Sequence, residues 1–159
     1  MKLELEMKKE LDVIKKTAQE LLEKMGVEAE VEVRKDKENE AIQVQLNSEK
    51  DNALLVGFHG NNLAAFQLIL GIIAANKLGE WNRLIVDIDG YRQKRQAQLE
   101  EMARRALERV EINKQPVTIT GLTSWERRAI HLFLKDEKGV ETYSEGEGRN
   151  RQLVISPNA

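Results

Sequence analysis

The sequence predicts an α+β chain made of two units, and three observations predict it. Apolar residues recur with helical and strand periods in the order helix, strand, strand, helix, tight turn, helix, strand over residues 1–90. A second series of helix, strand, helix, strand, strand fills residues 91–159. The two stretches also differ in charge: the first carries 12 Lys and Arg against 17 Asp and Glu, a net of −5, and the second 13 against 10, a net of +3. Such asymmetry marks units with different duties.

Residues 1–25 read as a helix, with Leu3, Leu5, Met7, Leu11, Ile14, Ala18, Leu21, Leu22 and Met25 near a 3.6-residue period and Gly26 as its stop. Residues 27–34 alternate, placing Val27, Ala29, Val31 and Val33 on one face of a strand. After a charged turn at residues 35–40, residues 41–47 alternate again with Ile42, Val44 and Leu46 inward, so the two runs form an antiparallel hairpin. Ser48 is placed to cap a short helix ending at Val56. A glycine turn at 57–60 and a helix from Asn62 to Leu78 follow, with Asn61 and Asn62 as favoured caps. Trp81 to Asp89 reads as a buried strand centred on residues 84–88.

A long helix spans Arg92 to about Glu111. Its Arg104, Arg105 and Arg109 lie among Glu100, Glu101 and Glu108, which reads as a solvated face of i,i+4 ion pairs. Arg92–Arg95 is the exception, with only Asp89 nearby, and is the part of this helix expected to meet nucleic acid. Residues 115–119 form a short strand opened by Pro116, where a missing N–H costs least. Thr123 or Ser124 caps a helix bearing Ala129, Ile130, Leu132, Phe133 and Leu134. Residues 140–144 and 152–155 are strands joined by a turn at 145–148.

Composition narrows the function. Of 159 residues 41% are hydrophobic, enough for a core, and 4% aromatic, so stacking platforms are few. There is no cysteine, which excludes a disulfide scaffold, a thiolate metal site and a cysteine nucleophile. No basic segment precedes an apolar one at the start, so no export signal is expected. The run Leu63–Leu78 is interrupted by Gln67, Gly71, Asn76 and Lys77 and reads as too short and too polar to span a bilayer. With two histidines, no acidic metal cluster and no Walker lysine, no cofactor or metal is expected.

Two constellations carry chemistry. In Gly57-Phe58-His59-Gly60 the glycines permit positive φ and close approach of a ligand, and Asn61-Asn62 open a helix whose free N–H groups face the turn, a seat for a phosphate. An ordinary helix-to-helix turn is the competing reading. In Arg127-Arg128-Ala129-Ile130-His131, Arg127 and His131 project from one helix face, suiting phosphate oxygens by guanidinium and imidazole donors. Arg149 and Arg151 reach the same face if the last hairpin folds over the helix. A structural histidine is the competing reading here.

The element order of the first unit, with a G-x-x-G between its second and third helices, is that of the type II KH fold. Arg127-x-x-x-His131, within Ser124-Trp125-Glu126-Arg127-Arg128-Ala129-Ile130-His131 and followed by residues 139–147, resembles the R-x-x-x-H (R-3-H) domain as it occurs in the Jag family. In that family the domain directly follows a type II KH domain. The first half is similar too, at Gly57–Gly60, at Leu63-Ala64-Ala65-Phe66-Gln67 and at Val86-Asp87-Ile88-Asp89-Gly90-Tyr91-Arg92. The likeness runs from about Glu23 onward. It implies a KH type II domain at residues 1–90, an R-x-x-x-H (R-3-H) domain with its leading helix at residues 91–159, and a cytoplasmic bacterial RNA-binding protein, with single-stranded DNA as a second ligand. Some members carry an extra amino-terminal domain, for which this chain has no room. Phe58 stands where the family often has Lys or Arg. This removes a phosphate-neutralising charge and offers a ring to a base instead.

The expected function is non-catalytic binding of single-stranded RNA without membrane insertion. Backbone would be held by Gly57, Phe58, His59, Gly60, Asn61 and Asn62, and by Arg127, Arg128, His131, Arg149 and Arg151. Bases would lie in an apolar groove lined by Leu54, Val56, Leu63 and the 42–46 strand. Two other readings compete: a nuclease using His131 with Glu126, and a module in which Phe58 and Trp125 contact a partner protein or a second copy.

Overall fold

A computed structural model describes residues 1–158. The chain divides into two compact units, Met1–Arg92 and the residues from Gln93 onward.

In the first unit, α1 (Lys2–Lys24) buries Ile14, Thr17, Ala18 and Leu22, one stripe of a helical surface. The helix ends where Gly26 takes φ +72° and Val27 N–H bonds Leu22 O at 3.0 Å. β1 (Glu30–Asp36) and β2 (Ala41–Asn47) pair antiparallel with Val31 opposite Leu46 and Val33 opposite Val44. β3 (Leu84–Ile88) pairs parallel to β2, so the sheet order is β1-β2-β3. α2 (Asn52–Val56) and α3 (Asn61–Leu78) lie between β2 and β3 in sequence. Ile42, Val44, Leu46, Val86 and Ile88 from the sheet share one core with Ile14, Leu22, Leu63, Phe66 and Leu70. Burying each such side chain contributes about 1.5–3 kcal/mol.

Three expectations are corrected here. Ser48 does not cap α2, whose N-cap is Asp51. Ser48 is buried instead, donating to Glu28 O at 2.7 Å and accepting from Asp51 N–H at 3.1 Å, which ties the strand end to the helix start. Neither Asn61 nor Asn62 is the cap of α3. Gly60 holds that position in the left-handed region, and both asparagines lie in the first helical turn. The third correction concerns the apolar run. Phe58–Leu78 is long and apolar enough to cross a membrane by length and composition. One of its faces packs Leu63, Phe66, Leu70 and Ala74 into the unit's core, while Leu68, Ile69 and Ile72 are exposed.

In the second unit, α4 (Tyr91–Asn113) buries Leu99, Ala103, Ala106 and Val110, spaced four, three and four apart. β4 (Val117–Ile119), β5 (Val140–Glu145) and β6 (Gln152–Pro157) form an antiparallel sheet in the order β4-β6-β5. α5 (Ser124–Leu134) adds Ile130 and Leu134 to a core that includes Leu153 and Ile155. On α4 the ion-pair ladder is as the spacing predicts: Arg104 pairs with Glu100 and Glu101 at 3.8 and 3.7 Å, and Arg105 with Glu101 at 2.9 Å.

Candidate nucleic-acid interface

The first unit presents its glycine turn as a bend of fixed geometry. Gly57 has φ +69° and ψ −170°, His59 φ +51° and Gly60 φ +81°. A Cβ on Gly57 would lie 2.5 Å from Asn62 Cγ, so only glycine fits there with Asn62 in place. Asn62 uses its side chain to donate to Leu54 O at 2.7 Å, closing α3 back onto α2. Phe58 is exposed and stacks on the His59 ring, with centroids 4.0 Å apart and planes at 25°. Asn61 and Asn62 are exposed, while Gly57, His59 and Gly60 are half-buried.

The expected apolar groove is not there as drawn. Leu63, Ile42, Val44 and Leu46 are all buried in the core, because the inward face of a half-buried strand is filled by its own helices. The apolar surface left near the turn is Leu54 and Phe58, with Val56 half-buried.

The second unit gathers its cations more closely. A groove of about 460 Å³ between α5 and the β5–β6 hairpin is lined by Arg127, Arg128, His131 and Arg151, with Thr142 and Ser144 opposite. No carboxylate is among its lining residues. His131 Nδ1 hydrogen-bonds with Thr142 Oγ1, which fixes the imidazole against β5. Arg127 is half-buried and donates to Leu122 O at 2.6 Å, to Arg151 O at 3.4 Å and to Ser124 Oγ at 3.2 Å. Its guanidinium therefore anchors the loop before α5 as well as bordering the groove. Arg149 sits on the exposed turn Gly148–Asn150 and is not among the lining residues.

Thr142 and Ser144 were missed as site residues. The available signal was their spacing of two on a strand, which puts both on one face.

Glu126 is fully buried. Its Oε1 accepts from Arg95 Nε at 2.7 Å and its Oε2 from Thr123 N–H at 2.9 Å, the second bond being half of a capping box at the start of α5. A carboxylate so engaged is not placed to exchange protons with a ligand, so the pairing of His131 with Glu126 has no geometric basis. The same contact corrects the reading of Arg92–Arg95 as free cations. Arg95 is spent on Glu126, and Arg92 donates to Val86 O at 3.0 Å and to Gln67 Oε1 at 2.9 Å. Among the described residues no group of three or more His, Cys, Asp or Glu is placed to hold a metal ion.

Residues 97–157 match the R-x-x-x-H (R-3-H) domain. The chain is 31% identical over 140 residues to the RNA-binding protein KhpB of Bacillus subtilis (strain 168), a span covering 87% of this chain and 66% of that one. It is 27% identical over 138 residues to the RNA-binding protein KhpB of Clostridium symbiosum, covering 87% and 62%. It is 27% identical over 136 residues to the RNA-binding protein KhpB of Lactiplantibacillus plantarum, covering 86% and 41%. The chain thus spans less than two thirds of the length of each of these three relatives.

Proposed function

Since this chain belongs to the Jag family and its residues 97–157 are an R-x-x-x-H (R-3-H) domain, we propose that it is a non-catalytic binder of single-stranded RNA with two phosphate-holding sites. The observation that carries this reading is the groove of Arg127, Arg128, His131 and Arg151, lined by hydroxyls and free of carboxylates. Cations and O–H donors converging without a counter-charge suit a polyanion's oxygens. Arg149, on the adjoining turn, extends the positive rim. The relatives' names as RNA-binding proteins favour RNA, with single-stranded DNA as a second ligand.

The first unit is read as a type II KH domain, on its element order and on the G-x-x-G between α2 and α3. The Gly57–Gly60 bend and the first turn of α3, with Asn61 and Asn62, would hold phosphates there, the Gly57 and Gly60 N–H groups themselves donating to Ala53 O at 2.9 Å and Gly57 O at 3.4 Å. Phe58 supplies an exposed ring to a base in place of a cation. Cytoplasmic residence belongs to the same proposal.

The test uses exposed side chains, because Arg127 also holds a loop. Arg128→Ala with Arg151→Ala should weaken binding of a labelled single-stranded RNA at least tenfold in an anisotropy titration, with circular dichroism unchanged. Unaltered affinity would remove the groove from the model. A protein-contact reading is favoured by one observation, the exposed Leu68, Ile69 and Ile72 of α3 together with exposed Trp81. A partner held by that face would remain bound after ribonuclease treatment.

A further inference from the structure

We infer that Trp125 is a stacking platform for an unpaired base whose backbone lies in the Arg127–His131 groove. Trp125, Arg128, Ala129 and Leu132 fall at i, i+3, i+4 and i+7 on α5 and share one face, while Glu126, Ile130 and Leu134 turn to the core. Trp125 is 44% exposed and Leu132 53%, so this face of α5 carries two large apolar side chains side by side in contact with solvent. They border a shallow depression with Gln96, Glu100, Arg128 and Phe133.

Arg128 joins the two places. It lines this depression and also the cationic groove, so a strand held by Arg128 passes directly beside the indole. The charges around the indole favour a nucleotide. Arg128 has no acidic partner among the described residues. Glu100 accepts from Gln96 Nε2 at 3.1 Å and faces Arg104 at 3.8 Å, so its charge is offset. The Phe133 ring already carries the Arg104 guanidinium 5.1 Å from its centroid, which leaves Trp125 as the open ring of this depression, while the exposed Tyr143 ring lines the groove itself. A base in a duplex has both faces covered by its neighbours, so a platform of this kind selects single strands.

The inference rests on α5 as a phosphate-holding helix, and the experiment separates the two. The chain holds two tryptophans, so Trp81→Phe leaves Trp125 as the reporter. This variant is titrated with a short oligouridylate and with an RNA duplex of matched length, reading tryptophan emission and anisotropy together. The single strand should quench Trp125 and the duplex should not. Trp125→Ala should weaken single-strand binding about 5- to 150-fold, the range of one base–aromatic stack, and Trp125→Phe much less. Duplex binding should be unchanged in both. The capping box at Thr123 and Glu126 is untouched by these changes, and circular dichroism checks the fold. Emission that stays constant at saturating strand, or equal weakening of strand and duplex, overturns the inference. If Arg128→Ala with Arg151→Ala abolishes binding while Trp125→Ala does nothing, the platform alone fails and its face serves another partner. If the wild-type chain binds neither probe, the parent reading fails and this one with it.

Discussion

Glu126 shows how much one side chain can be asked to do. It has no exposed surface, closes the capping box of α5 and neutralises Arg95, whose side chain is 14% exposed. Glu126→Ala removes the carboxylate that Arg95 Nε meets at 2.7 Å in a nearly dry place, and removing one member of such a pair costs about 3–5 kcal/mol. Urea unfolding should show a loss of that size, and a smaller one for Glu126→Gln, which keeps an oxygen for Thr123 or Arg95. At this scale the sequence was partly legible. Arg127 and His131 share a face and border one groove, as four-residue spacing requires. Their partners were not legible, because Leu122 O and Thr142 Oγ1 arrive from a loop and a strand that local periodicity does not place. Arg95 was misread for the same reason, its partner lying 31 positions away.

Among the elements, those with strict alternation or a strong apolar stripe were read well. β2 runs Ala41–Asn47, as its pattern implies, and the bounds of α1 differ from expectation only at the ends, where Leu3, Leu5 and Met25, expected on its apolar stripe, are exposed. β1 begins at Glu30 instead of Val27, since Val27 is taken up in closing α1 before pairing starts. Helix starts were the weaker part. Ser48, Asn61 and Asn62 are good caps by residue type, yet their side chains are spent on Glu28 O, Asp51 N–H and Leu54 O or lie inside the helix. Thr123 is the cap that does act as one, accepting from Glu126 N–H. Thr123→Ala should therefore destabilise the chain by about 1 kcal/mol, whereas Ser124→Ala should cost less, with thermal unfolding as the measurement.

For the whole chain, the net charge of −2 conceals an acidic first unit and a basic second one. If both hold phosphates, single-strand affinity falls steeply with salt, and each lost phosphate contact lowers the slope of log K against log salt by about 0.7. Arg128→Ala with Arg151→Ala should reduce that slope by about 1.4 if each arginine holds one phosphate. Gly57→Ala should lower affinity with little change in slope, because it perturbs a backbone seat and removes no charge. Equal slopes for all three proteins would speak against phosphate contact by the arginines.

The sheet of the second unit also has two unpaired margins, β4 and β5. Only three residues long and entered from Pro116, β4 offers an intruding chain too few amides to zip against. Along the opposite border, exposed Glu141 and Glu145 repel a neighbouring copy of the same acidic fringe. Crowded copies of this domain are thus kept from growing into ribbons, a safeguard that costs the groove on the other side of the hairpin nothing.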